Sequence, residues 1–313
     1  MSDLRIEEAG AVDAAAVRDV IHAAFGARQR VEPPSTALEE TTESVAEALK
    51  RDGGLLCRVD AQPAGAMLFG VATSALVLRR VSVVPHFQSR GVASALVGVA
   101  EGVAAARGFD DVRLAARAQL PATVTFWRRR GYAEISRDLT SLQLGKALGV
   151  EVSTADAEAT RNVGAVVAGL MRAGDVVILT GGLGAGKTTL TQGLGAGLRV
   201  RGGVTSPTFV ISRVHPSLGG GPALVHVDAY RLGDGAELDD LDLDAFVDDA
   251  VTVVEWGEGI AEALADDRLR VHIARSRGDD AEDGRTIKVI PVGARWYGAG
   301  VRSRLLGRTS SPP

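Results

Sequence analysis

The chain has 313 residues, 46% hydrophobic and 24% charged, with a formal net charge of −4. That length and composition point to two ordinary globular domains. No apolar run reaches the length of a membrane span, the first residues lack the apolar core of a signal peptide, and a lone cysteine, Cys57, excludes an intrachain disulfide or a cysteine-based zinc site. A cytoplasmic protein with no membrane partner is the expectation. In chain order, residues 11–25 predict a helix with Asp13 as its cap, and 26–42 a loop in which Pro33-Pro34 breaks periodicity. Strands are predicted at 54–59, 64–69 and 75–84. A Gln88-Ser89-Arg90-Gly91-Val92-Ala93 segment then opens a helix reaching about residue 107. A strand at 112–116, a short helix at 123–130 closed by Gly131 and a strand at 132–136 complete a mixed α/β domain over 1–147.

Residues 145–153 read as the boundary. A helical pattern over 155–171 then leads into the β-branched run at 175–180, a glycine-rich loop, and a helix from Thr189 to about 198 weakened by Gly193, Gly195 and Gly197. Strands are predicted at 209–213, 223–228, 251–255, 269–274 and 286–291, which makes 151–294 a second α/β domain. Residues 295–313, rich in Arg, Gly, Ser and Pro, read as a basic, disordered tail. Charge is uneven: the first 150 residues carry +1, residues 151–294 carry −9 and the tail +4, with eight acids between Asp234 and Asp249. An acidic face repels phosphate backbones. It points to a basic protein partner, or simply to a solvated loop, and leaves tRNA contact at most indirect.

The sharpest motif is Gly181-Gly182-Leu183-Gly184-Ala185-Gly186-Lys187-Thr188, which fits G-x-x-x-x-G-K-[ST] between a buried strand and a helix. Glycines let successive N–H groups curl around a phosphate at the helix N-terminus. Gly182 to Thr189 would contact ATP, with Lys187 between the β- and γ-phosphates and the Thr188 hydroxyl on Mg²⁺. The acid such a site needs is sought at neighbouring strand ends, where Asp228 and Glu255 both qualify.

Beyond the loop come Thr205-Ser206-Pro207-Thr208-Phe209, His226-Val227-Asp228-Ala229-Tyr230-Arg231-Leu232 and Glu255-Trp256. This order and spacing resemble the TsaE family, the ATPases of bacterial tRNA threonylcarbamoyladenosine synthesis. The resemblance implies a helper ATPase acting with the TsaD and TsaB proteins. It implies catalytic roles for Lys187, Asp228 and Glu255, Mg²⁺ on Thr188 and Glu255, a switch-like loop at 205–209, and Trp256 near the nucleotide. Gly182 departs from the Asp expected there. The rival is a P-loop small-molecule kinase.

In the first half, Gln88-x-x-Gly91-x-Ala93 after a strand, with Phe126-Trp127-Arg128-Arg129-Arg130-Gly131-Tyr132 downstream, is similar to GNAT acetyltransferases. The resemblance implies acetyl-CoA, with pyrophosphate on the backbone of Arg90, Gly91, Val92, Ala93 and Ser94, and pantetheine along the strand near Val83. The family's usual proton-transfer groups are missing: Trp127 replaces a tyrosine, Ala115 a glutamate, and Leu120 an asparagine. Tyr132, Glu134 and His86 are the leftover acid/base candidates. A non-catalytic acyl-CoA-binding regulatory domain is the alternative.

Overall fold

The computed structural model describes residues 3–207, 210–232, 237, 248–275 and 284–308. Thr208, Phe209, most of the acidic run from Asp234 and residues 309–313 lie outside them. The chain divides into two compact units, the first ending at Leu148 and the second beginning at Gly149.

The first unit runs β1 (Leu4–Glu8), α1 (Ala14–Gly26), α2 (Thr42–Arg51), β2 (Gly54–Val59), β3 (Gln62–Ala72), β4 (Ala75–Val83), α3 (Val92–Ala106), β5 (Asp111–Arg117), α4 (Pro121–Arg129), β6 (Ala133–Arg137) and β7 (Ser141–Ala147). Its strands form one sheet in the order β1-β2-β3-β4-β5-β7-β6. One face is covered by α3, whose Leu96, Val97 and Ala100 pack on Leu76, Leu78, Val112 and Leu114. On the other, Val17 and Ile21 of α1 and Val45 and Leu49 of α2 pack on Leu56, Ala66 and Leu68. The junction of β4 and β5 is the sheet's parallel one, and it is short: Ala75–Leu78 pair with Asp111–Leu114 and no further. Beyond it the two strands part, and a cleft of about 1090 Å³ lies there.

Three strands and two helices, one of them at Val301–Leu305, were not expected from the sequence. The first strand, Leu4–Glu8, is largely exposed, so it shows no apolar alternation. Helix α2 falls largely beyond the predicted loop, capped by Thr41, whose hydroxyl accepts from the Ser44 N–H at 3.1 Å. The predicted boundary at 145–153 holds the end of β7 and most of β8 (Val150–Thr154), so the connection between units is only Leu148-Gly149. Asp13 starts α1 differently from expected: its carboxylate accepts from the Gly10 N–H at 3.1 Å rather than capping the helix itself.

The second unit continues with α5 (Ala157–Ala168), β9 (Val176–Thr180), α6 (Lys187–Gly197), β10 (Ser212–His215), β11 (Ala223–Asp228), β12 (Ala250–Glu255), β13 (Arg268–Arg275), β14 (Arg285–Val292) and α7 (Val301–Leu305). The sheet order is β10-β11-β12-β9-β13-β14-β8. The four central strands are parallel and the edges antiparallel. Burial on both faces explains why β9 and β12 read as unbroken apolar runs. The glycines that weaken α6 are where α5 meets it: a Cβ on Gly193 would lie 1.9 Å from the Arg161 carbonyl oxygen, and one on Gly164 2.2 Å from that of Leu190. No helix of the described residues is long and apolar enough to cross a membrane.

The expected disordered tail is corrected over 295–308. Trp296 is fully buried, Val301 and Ser303 of α7 are buried, and Arg295 makes a two-pronged ion pair with Asp175, Nε to Oδ1 at 3.0 Å and Nη2 to Oδ2 at 2.9 Å. Asp175 directly precedes β9, so this partner, distant in sequence, anchors the strand that leads into the glycine loop.

Candidate functional site

The parallel register of the second sheet sets Asp228 beside Glu255 and Glu255 beside Leu179, so both acids emerge at the edge where β9 enters the glycine loop. The loop's backbone explains its glycines. Gly181 has φ of 144°, and a Cβ there would lie 2.2 Å from the Ile273 carbonyl oxygen. Gly186 caps α6 at φ of 110° with no side chain on the helix's free N–H groups. These N–H groups and the helix dipole favour an anion.

Lys187 is 5% exposed, and its ammonium donates to the carbonyls of Gly181 at 3.0 Å and Gly182 at 3.1 Å. The ammonium also lies 3.7 Å from the centroid of the Trp256 ring. Burial pushes its pKa down, while the charges of Glu255 and Asp228 pull it back up. With two of three ammonium donors used inside the loop, one remains for a phosphate oxygen.

Thr188 donates its hydroxyl to Glu255, 2.9 Å from Oε1 and 3.2 Å from Oε2. The same Oε1 lies 2.9 Å from Nε2 of His226, which is fully buried two residues before Asp228. A carboxylate oxygen accepts here, so Nε2 donates to it, and Nδ1 has no hydrogen-bond partner among the described residues. Asp228 accepts from the Ser206 hydroxyl at 2.8 Å and from the Tyr230 N–H at 3.2 Å. Tyr230, 61% exposed, has its ring 5.2 Å from that of Trp256. Thr205 accepts from Arg213 at 3.2 Å. The structure thus gathers Lys187, Thr188, Asp228, Glu255 and Trp256 at one sheet edge, while Leu183 of the loop is 86% exposed. His226 opens one of the motifs that carry the family resemblance, but its spacing from Glu255 along the chain assigns it no role. A magnesium ion suits this donor set, a hydroxyl and a carboxylate already in contact beside a second carboxylate.

In the first unit the cleft is lined by Val83, Gly91, Val92, Ala93, Ser94, Ala115, Leu120 and Trp127, the residues singled out from the sequence apart from Arg90. Arg90 is set toward the Phe87 ring, 5.7 Å from its centroid. Gly91 has φ of 82°, caps α3 without a side chain, and a Cβ there would meet nothing within 4 Å. Open first-turn N–H groups beside open space fit the pyrophosphate of a coenzyme A.

The leftover acid/base candidates are engaged elsewhere. The buried Tyr132 hydroxyl donates to Glu101 at 3.1 Å, and burial with the Glu101 charge raises its pKa out of any useful range. Glu134 is held by Arg137 and Arg128, and His86 is exposed beside Phe87, with ring centroids 4.0 Å apart. Among the described residues lining the cleft there is no Asp, Glu, His, Tyr, Cys or Lys.

Residues 154–287 match the family described as threonylcarbamoyl adenosine biosynthesis protein TsaE. The tRNA threonylcarbamoyladenosine biosynthesis protein TsaE of Streptomyces coelicolor is 62% identical over 142 residues, which cover 45% of this chain and 96% of that protein. Its Bacillus subtilis counterpart is 40% identical over 144 residues, 46% of this chain and 86% of that protein. Residues 17–132 match the acetyltransferase (GNAT) family. A PaiA N-acetyltransferase from Thermoplasma acidophilum, solved with coenzyme A, is similar at 16% identity and a TM-score of 0.42, over 46% of this chain and 99% of that one.

Proposed function

The chain belongs to the TsaE family through its second unit, and from that premise we propose that this unit binds Mg·ATP in the loop at 181–188 and hydrolyses it in support of tRNA threonylcarbamoyladenosine synthesis. The observation that carries this is the Thr188–Glu255–His226 chain of hydrogen bonds beside the loop, with Asp228 on the next strand. A magnesium ion on Thr188 and Glu255 would supply charge neutralisation at the phosphates. Lys187 donates its remaining N–H to a phosphate oxygen, His226 fixes the orientation of Glu255, and Asp228 orients the attacking water. Hydrolysis leaves the bridging oxygen with ADP, and the water proton passes to solvent by way of Asp228 or the released phosphate.

TsaD and TsaB are the proposed partners, met in the cytoplasm through a largely acidic domain, with tRNA reached only through them. Phosphate release by the full chain, alone and with TsaD–TsaB, tests this. The expected result is slow release alone, altered by the complex and lost in Lys187→Ala. Unchanged release in Lys187→Ala overturns the assignment of the site, and transfer of the phosphoryl group to a small-molecule acceptor favours the kinase alternative. For the first unit the proposal is that acetyl-CoA occupies the cleft between β4 and β5, with its pyrophosphate on the N–H groups of 90–94 and its pantetheine along Val83. Transfer then relies on positioning and a water base rather than on a side-chain base.

A further inference from the structure

The cleft's lining includes five arginines, Arg28, Arg79, Arg80, Arg113 and Arg117, and no carboxylate among the described residues. Registers fix where they stand. Val77 pairs with Arg113, while Ala115 and Arg117 pair with Gln143 and Ser141, so Arg79, Arg113 and Arg117 lie on one face of the sheet, the face that carries Leu68 beneath α1 and α2. Arg79 and Arg113 flank the point where the strands part.

Most of these guanidiniums are spoken for. Arg80 is paired with Glu40 at 2.9 Å, Arg28 donates to the Val81 carbonyl at 2.8 Å, and Arg117 donates to the Pro33 carbonyl at 3.0 Å. Arg79 feels Glu40 through space but makes no hydrogen bond among the described residues, and Arg113, half-buried, makes neither hydrogen bond nor ion pair among them. Two part-buried cations without hydrogen-bond acceptors among the described residues, lining the cleft where β4 and β5 part, are a recognition element for an anion.

We infer that the acceptor in this cleft is a compact amine that carries a carboxylate, in the manner of a free amino acid, with its carboxylate on Arg113 and Arg79. The inference rests on the acetyl-CoA reading of the cleft. The amine nitrogen attacks the thioester carbonyl, the C–N bond forms as the C–S bond breaks, and the proton lost from nitrogen to water ends on the coenzyme A thiol. Surrounding guanidiniums disfavour the ammonium form of the acceptor. They thereby raise the share of nucleophilic amine where no side-chain base is present.

The test uses the full chain. Acetyl-CoA is first titrated by calorimetry, which reports on the cofactor reading alone. Thiol release is then measured at saturating acetyl-CoA with free amino acids and with the matching amino-acid amides, and binding of both sets to the coenzyme-loaded chain is read by saturation-transfer NMR. The acids are expected to exceed the amides by roughly tenfold or more in kcat/KM and in binding, the scale of a charged hydrogen bond. Arg113→Gln and Arg79→Gln, each checked for folding by its melting curve, should bring that ratio toward one. Equal or better use of amides or of polyamines, equal binding of the two sets, or an unchanged ratio in both variants overturns the inference. If acetyl-CoA gives no heat, the cofactor reading fails, and the same NMR comparison on the unloaded chain decides the anion preference separately.

Discussion

Around the glycine loop, cations and anions alternate: Lys187 faces Glu255 and Asp228, and Glu255 is held by Thr188 and His226. In the cleft of the first unit the charged side chains are of one sign, and the surface proposed for the coenzyme is backbone and small residues. The first arrangement suits chemistry in which a metal and a water must be placed against a phosphate. The second suits capture of anions, with the reactivity that the proposed thioester would bring. The difference shows how a site's task can be read from the variety of its polar groups as well as from their number.

Perturbations confined to one unit test how far this contrast extends. The largest effect is expected from Arg295→Ala. It leaves Asp175 buried without its guanidinium, a loss of about 3–5 kcal/mol for a broken buried pair. Thermal unfolding should then show the second unit melting well below its temperature in the parent chain, with the first unit's melting unchanged. Next, Lys187→Ala should lower ATP turnover by about 10²–10³-fold, the scale for removing a group that stabilises developing charge. Steady-state phosphate release measures it. Glu255→Gln should be milder: half-saturation by Mg²⁺ rises on the order of tenfold or more, while affinity for ATP changes less. A metal titration at fixed ATP reads this, and equal losses in both would deny Glu255 its metal role.

The smallest effect lies in the first unit. Burial pushes the Glu40 carboxyl up, but hydrogen bonds from Ser44 and Arg80 and the charge of Arg80 outweigh it, so its pKa sits below the ordinary value. A carboxylate depressed in the folded state adds stability that is present above its unfolded pKa and lost as pH falls through the folded one. Glu40→Gln should therefore lower the first unit's melting temperature near pH 7, and the gap should close below about pH 4. A gap that persists in acid would mean that Glu40 acts by packing alone.

Much of this was legible in the sequence where pattern and structure share a cause. The buried parallel strands at 176–180 and 250–255 show themselves as apolar runs, and the glycine loop shows itself because positive φ and close backbone approach demand glycine. What stayed hidden depends on distant partners. Strand β1 is recognisable only by its pairing with β2. Residues 295–308 look like a polar tail until Asp175 and the pocket for Trp296 are known. The role of His226 needs the register that sets it one strand from Glu255. The arginines in the cleft come from three separate segments, the residues after α1, β4 and β5, so no window along the chain contains them.

The central claim is that one chain carries two separate anion-binding sites, one built on Lys187 and one on the Gly91 loop. Calorimetry on the full chain tests it, with Mg·ATP and acetyl-CoA titrated in turn into the parent, Lys187→Ala and Gly91→Glu. The parent should bind both ligands. Lys187→Ala should lose the ATP heat and keep that of acetyl-CoA, and Gly91→Glu, which sets a bulky anion in the open space at the start of α3, should do the reverse. A variant that keeps both heats, or a parent that binds only one ligand, would contradict the account.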